Sequence, residues 1–203
     1  MKKLFAVMMS VALIFAVTAC GSAGDRTEES SSSGQNAPER TAAEAKGLVV
    51  YFSWSGNTEN VAKAIQSQTD SDIFEIVPAT PYSDDYNTVL DVAREEQRSN
   101  ARPAISGSIE NIEQYDVIYV GFPNWWGDMP MILYTFFDTY DLSGKTVALF
   151  CTSGGSGLSG TVNEVKSLEP NATVTQGLHI GSGSSSNPDN AVSEWLNALG
   201  LAK

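Results

Sequence analysis

The chain has little of what many kinds of functional site require. It holds two cysteines and one histidine in 203 residues. From residue 47 onward only Cys151 and His179 remain, so an intrachain disulfide framework is excluded and the histidine has no partner for a triad or a metal cluster. Cys151 ends an apolar run and reads as a small core residue. Basic residues are scarce too: over residues 47–203 seven Lys and Arg face nineteen Asp and Glu, which accounts for the net charge of −12 of the whole chain. That balance argues against nucleic acid and anionic lipid headgroups as partners. It suits a basic protein partner, although solubility alone also explains an acidic surface. Neither the G-x-x-x-x-G-K-[ST] nor the G-x-G-x-x-G nucleotide signature occupies the turn at residues 53–58 after the first apolar run, and no internal repeat is visible.

Met1-Lys2-Lys3 opens an apolar run from Leu4 to Ala19, interrupted only by Ser10 and Thr18. A basic start before an apolar run shorter than the ~20 residues of a membrane span is the pattern of a secretory signal. The run ends Val17-Thr18-Ala19-Cys20-Gly21, which resembles the lipobox of bacterial lipoproteins. That resemblance implies a signal peptide over residues 1–19 and lipid attachment at Cys20, and so an extracytoplasmic protein anchored to the bacterial cell membrane. A plain secretory signal or an uncleaved anchor is the alternative. Residues 20–46 are rich in Ser, Gly, Ala and charge and carry no large apolar side chain, so they read as a flexible tether with a reach of roughly 25 to 30 Å.

Residues 47–203 suffice for one domain. Strands are expected at 48–52, 73–77, 117–122, 147–151 and around 174–180. Helices alternate with them. One follows residue 58, a second carries Tyr86, Val89, Leu90 and Ala93 on one face, and a third runs from Met131 to Phe137. The fourth carries Leu158, Val162, Val165 and Leu168, and the last Val192, Trp195, Leu196 and Leu199. Such alternation predicts an α/β fold, a three-layer, doubly wound, five-stranded parallel sheet. Ligands of these sheets bind beyond the carboxyl ends of the strands, at the switch point.

The first such end is the most informative stretch. The strand Leu48 to Phe52 breaks into Ser53-Trp54-Ser55-Gly56-Asn57-Thr58, and a helix follows with Val61, Ala64 and Ile65 on one face. Backbone N–H groups and three hydroxyls (Ser53, Ser55, Thr58) gather at a helix N-terminus, an arrangement that favours an anion. The nearest cation, Lys63, lies one turn further on, so a phosphate here would be held by neutral donors. The simpler reading is a capped helix start.

This turn resembles the FMN-phosphate loop of flavodoxins, T/S-x-T/S-G-x-T, in its usual place after the first strand. Two further loops extend the resemblance. After the third strand the chain reads Gly121-Phe122-Pro123-Asn124-Trp125-Trp126-Gly127-Asp128, similar to the P-x-W-W-G flavin loop of that family. Paired tryptophans on a loop need something flat to cover, or one of them plugs the core. After the fourth strand comes Thr152-Ser153-Gly154-Gly155-Ser156-Gly157, where flavodoxins contact the pyrimidine end of the flavin and where a bare turn is the alternative. Many flavodoxins carry an aromatic there; this chain has none.

The resemblance implies strand order 2-1-3-4-5 and FMN as cofactor. It implies contacts from Ser53, Trp54, Ser55, Gly56, Asn57 and Thr58, from Pro123, Asn124, Trp125, Trp126 and Gly127, and from Thr152, Ser153, Gly154, Gly155 and Gly157. No acid, base or nucleophile stands out in these loops, and Asp128 reads as a helix cap. The expected function is electron transfer to or from a redox partner protein or a small-molecule acceptor. The alternatives are an FMN-dependent NAD(P)H:quinone-type oxidoreductase and a flavin-free binding or scaffold module.

Overall fold

The computed structural model describes residues 45–203. The expected signal peptide, the lipid site Cys20 and almost all of the tether lie outside the described residues. Lys46, expected as the tether's last residue, belongs to the domain. Its N–H donates to Asp116 Oδ2 at 2.8 Å, its Nζ to Gln114 Oε1 at 2.8 Å, and its Nζ lies 3.0 Å from Asp72 Oδ2.

The central sheet is parallel throughout. β1 (Gly47–Tyr51) lies between β2 (Asp72–Glu75) and β5 (Val117–Pro123), and β5 pairs in turn with β6 (Thr146–Ser153). β1 and almost all of β5 and β6 are buried, because helices cover both faces; hence their unbroken apolar runs. The fifth strand is divided. β7 (Thr173–Val174) pairs with the start of β6 and β8 (Leu178–Gly181) with its end. Between them, a Cβ on Gly177 would meet Leu158 Cδ1 at 2.7 Å, so that strand edge is packed tightly beneath the Leu158 side chain. Counting these halves as one strand, the spatial order is the expected 2-1-3-4-5.

The second strand also ends earlier than expected. Val77–Pro78 forms β3, which pairs antiparallel with β4 (Ile105–Ser106) as a separate two-stranded ribbon. Pro78 lacks an N–H, which suits such an edge.

On one face, α1 (Asn57–Thr69) and α5 (Asp189–Leu199) bury Val61, Ala62, Ile65, Val192, Trp195 and Leu196 against Val49, Tyr51, Val117, Tyr119 and Phe150. Burial pushes the Tyr119 hydroxyl up to about 12. The other core layer sets Ile132, Leu133 and Phe136 of α3 (Met131–Thr139) and Val165 of α4 (Thr161–Leu168) against Val50, Ile118, Val120, Leu149 and Cys151. Cys151 is the small core residue the sequence suggests; burial holds its thiol up at about 12.

The remaining helix, α2 (Tyr86–Ser99), departs from expectation. Asp85 caps it by accepting from Thr88 N at 2.8 Å, and Val89 and Ala93 are buried. Tyr86, expected to face inward, is 61 % exposed, and Leu90 is only partly covered. Both line a cleft instead. Among the described residues, no helix is long and apolar enough to cross a membrane.

Candidate functional site

The carboxyl ends of β1, β5 and β6 are drawn level by backbone hydrogen bonds, Phe52 N to Gly121 O and Asn124 N to Thr152 O, both 2.9 Å. The three loops that leave these ends enclose a cleft of about 480 Å³ with α2 as its remaining wall.

The first loop turns through Gly56, whose φ of 82° lies in the left-handed region where a side chain is strained. No side chain caps α1, so its first amides stay unclaimed by a capping group. Ser185 Oγ donates to Asn57 Oδ1 at 2.7 Å and Asn57 Nδ2 donates to Ser55 Oγ at 3.1 Å, which leaves the Ser55 proton available to an acceptor in the cleft. Ser53 Oγ is buried without a hydrogen-bond partner, the one such side-chain atom among the described residues. A hydroxyl in that condition is costly unless a further group accepts from it.

The second loop is a tight reversal. Trp125 N donates to Asp128 O at 2.8 Å and Asp128 N to Trp125 O at 3.1 Å, with Trp126 (φ 55°) and Gly127 (φ 82°) both left-handed between them. This is the type I′ geometry that Asn-Gly favours, so the bulky Trp126 is strained there by an amount on the order of 1–3 kcal/mol. α2 holds it in place. Trp126 Nε1 donates to Leu90 O at 3.0 Å, the Arg94 guanidinium lies 3.7 Å from the ring centroid, and Gln97 Nε2 donates to Trp125 O at 3.0 Å.

The two tryptophans divide the roles the sequence left open. Trp125 is the plug, half-buried and edge-on to Phe52 (5.4 Å) and Tyr82 (5.3 Å), although part of it reaches the cleft. Trp126, 45 % exposed, is the wall. Asp128 is not a helix cap. Its carboxylate accepts from Met129 N and from Tyr134 Oη at 2.9 Å, and burial together with that carboxylate pushes the Tyr134 hydroxyl up. Pro130 occupies the N-cap of α3.

In the third loop Ser153 Oγ accepts from Gly155 N at 3.2 Å and Gly157 N at 3.1 Å and lies 2.9 Å from His179 Nε2. Those glycine amides therefore fold the loop onto Ser153 rather than offering themselves to a ligand edge. Asn124 ties the second loop to the third, donating from Nδ2 to Gly157 O at 2.9 Å and accepting Gly127 N at 3.0 Å.

Of the residues expected at the site, Trp54, Ser55, Asn57, Pro123, Asn124, Trp125, Trp126, Gly127, Thr152, Ser153 and Gly154 line the cleft. Ser53, Gly56, Thr58, Gly155 and Gly157 do not; Thr58 is buried, its Oγ1 2.9 Å from Thr152 Oγ1. The sequence reading missed Tyr86, Val89, Leu90 and Ala93 of α2, as well as Ser156 and Ser182. The α2 residues form an apolar helical stripe, and such a stripe does not distinguish a core from a cleft wall. Among the described residues no cluster of three metal-ligating side chains occurs.

The family model for Flavodoxin matches residues 46–199. The chain belongs to the flavodoxin family. Flavodoxin 1 of Escherichia coli (strain K12) is 32 % identical to this chain over 106 residues, 50 % of this chain and 46 % of its own; the match thus spans about half the length of that relative. Two crystal structures share the fold. A provisionally assigned flavoprotein of Bacteroides eggerthii DSM 20697 is 34 % identical, with a TM-score of 0.68 over 76 % of this flavodoxin and 97 % of that chain. A flavoprotein in complex with FMN from Lactobacillus acidophilus NCFM is 27 % identical, with a TM-score of 0.61 over 74 % of this chain and 98 % of its own.

Proposed function

We propose that this protein is an FMN-binding electron carrier, held outside the cytoplasmic membrane by a lipid on Cys20 and exchanging electrons with a partner protein or a small-molecule acceptor. The observation that carries the reading is the first loop, where the partnerless Ser53 hydroxyl stands two residues before Ser55 of the cleft lining. A buried hydroxyl without a partner, beside uncapped helix amides and the available Ser55 proton, suits an anion with several acceptor oxygens. A phosphate monoester has them. The rest of the cleft suits a flat, partly apolar ring, with Trp126 and Leu90 as apolar wall and Ser153, Gly154 and Ser156 as polar rim. FMN in such a cleft supplies reversible electron chemistry, and the protein supplies position, electrostatics and exclusion of water. Residues 1–19 act as the signal, Cys20 carries the anchor and residues 21–45 form the tether: the basic start, the apolar run and the small residues before Cys20 support that part of the reading.

The test is titration of the purified protein with FMN, followed by flavin and tryptophan fluorescence. Saturable quenching is expected, at least ten-fold weaker in Ser53→Ala and in Ser55→Ala. Because Ser53 Oγ has no partner in the protein, Ser53→Ala should leave urea stability without ligand unchanged or slightly raised, which separates a binding role from a structural one. Absence of quenching, or equal affinity in both variants, would overturn the proposal. Labelling with a radioactive fatty acid, lost in Cys20→Ala, checks the anchor.

One observation favours a second reading. No aromatic of the third loop lines the cleft, which leaves room for a second flat molecule. An NAD(P)H:quinone-type oxidoreductase would use that room. Steady-state turnover with NAD(P)H and a quinone distinguishes it from the carrier.

A further inference from the structure

A second cavity, of about 260 Å³, lies between α2 and the segments 80–83 and 103–104, which follow β3 and precede β4. Pro81, Val92, Pro103 and Ala104 give it apolar walls, and Tyr82 and Glu96 give it a polar end. It is separate from the FMN cleft, although α2 is a wall of both and the Tyr82 ring of the cavity stands edge-on to Trp125, which lines the cleft.

Glu96 is the unusual member. The ion pairs of the described residues join Lys46 to Asp72, Lys63 to Glu59, Arg98 to Glu95 and Arg102 to Asp138, and none of them includes Glu96. Its side-chain partner is the Tyr82 hydroxyl, which donates to Oε2 at 2.9 Å. In sequence Glu95 and Glu96 are adjacent acids on a helix that also carries Arg94 and Arg98, the pattern of a solvated face. That holds for Glu95, whereas Glu96 is half-buried and desolvation raises its carboxyl above the ordinary range. A half-buried carboxylate with one neutral donor is incompletely compensated, and a cation is what would complete it.

We propose that this cavity binds a small primary alkylammonium ion, its charge paired with Glu96 and its carbon chain laid on Pro81, Val92 and Pro103. The chemistry selects the class. An anion would meet the Glu96 charge, and a neutral molecule would leave that charge uncompensated. A bare metal ion would gain nothing from the apolar walls, and the carboxylates able to share it are absent. A primary ammonium brings three N–H donors and a positive charge on an apolar stem, which matches one carboxylate at the end of a short apolar pocket. The volume lies below the ~300–1,000 Å³ of clefts for larger ligands, so the occupant is small.

The experiment titrates the purified full chain, without FMN, with n-butylammonium chloride at constant ionic strength. It follows the Val92 methyl and Trp125 indole signals by NMR. Saturable shifts of both are expected in the native protein and in Glu95→Gln, which alters the neighbouring carboxylate outside the cavity. Affinity should fall at least ten-fold in Glu96→Gln. It should fall likewise in Val92→Phe, which fills the cavity, keeps the carboxylate and changes a residue already 40 % exposed, so folding is preserved. 1-Butanol, the neutral counterpart, should give no saturable shift. Equal affinity in Glu96→Gln, saturation by 1-butanol with the same midpoint, or no saturation with the native protein would each overturn the proposal. Failure of FMN to bind has no bearing on it, because the cleft is not used.

Discussion

Thr58 and Thr152 face each other across the base of the cleft, their hydroxyl oxygens 2.9 Å apart and both side chains buried. Thr58 lies in the first turn of α1 and Thr152 next to the last residue of β6, so this one bond fixes the first loop against the third. Thr58→Val keeps the shape and strands the Thr152 hydroxyl. Stability in urea should fall by about 1–3 kcal/mol. The double variant with Thr152→Val removes both polar groups and should recover part of that loss, giving a coupling energy that additivity does not predict.

Arg94 acts on the cleft through Trp126. Its guanidinium lies 3.7 Å from the indole centroid, while Nε1 of the same ring is tied to Leu90 O. The two α2 residues lie four apart and so share a face. An exposed cation–π contact contributes about 0.5–1 kcal/mol, which offsets part of the strain of a left-handed tryptophan. Arg94→Ala should therefore change global stability little. Hydrogen exchange of the Trp126 Nε1–H should nevertheless quicken several-fold, and Arg94→Lys should restore part of the protection.

What could be read from the sequence depended on whether one local pattern had one physical meaning. The runs at 48–52, 117–122 and 147–151 could only be strands buried on both faces, and the hydroxyl turn after the first could only open a helix. The α2 stripe had two meanings. Tyr86 and Leu90 fit a core as well as a cleft wall, and the choice is made by the double-tryptophan loop, which is distant in sequence. The β3–β4 ribbon was hidden for another reason: two residues per strand leave no alternation to detect, and its partners are far apart in the chain, Val77 beside Ser106 and Pro78 beside Ile105. Glu96 looked like its neighbour Glu95 because the Tyr82 loop that covers it is set by tertiary packing.

Glu96 also predicts a pH dependence. Burial holds its carboxyl above the ordinary 4.5, and the Tyr82 hydrogen bond offsets only part of that. The folded protein thus binds this proton more readily than the unfolded chain. Its contribution is fully present below the unfolded value and is lost as pH rises through the folded one. Glutamine carries no charge at any pH. Glu96→Gln should therefore melt at a higher temperature than the native protein at pH 7 to 8, with the difference closing towards pH 4. Asp72, held low chiefly by the Lys46 hydrogen bond, works in the opposite sense in both proteins and cancels in the comparison at each pH.

Gly121 marks where the sheet tolerates no side chain. A Cβ there would lie 2.1 Å from Cζ of Phe150, its partner in the β5–β6 register, and that ring is completely buried. In Gly121→Ala the ring cannot swing out to solvent, so the strain passes to the strands. A loss of about 1–3 kcal/mol is expected, as for other overpacked cores. The loss should reach the cleft as well, because Gly121 O accepts the Phe52 N–H immediately before Ser53, and a displaced β5 would move the first loop with it. Adding Phe150→Leu provides the missing space. If the clash is the cause, Gly121→Ala should cost clearly less on that background than on the native one. An equal cost in the two backgrounds would assign the loss to the backbone rather than to the ring.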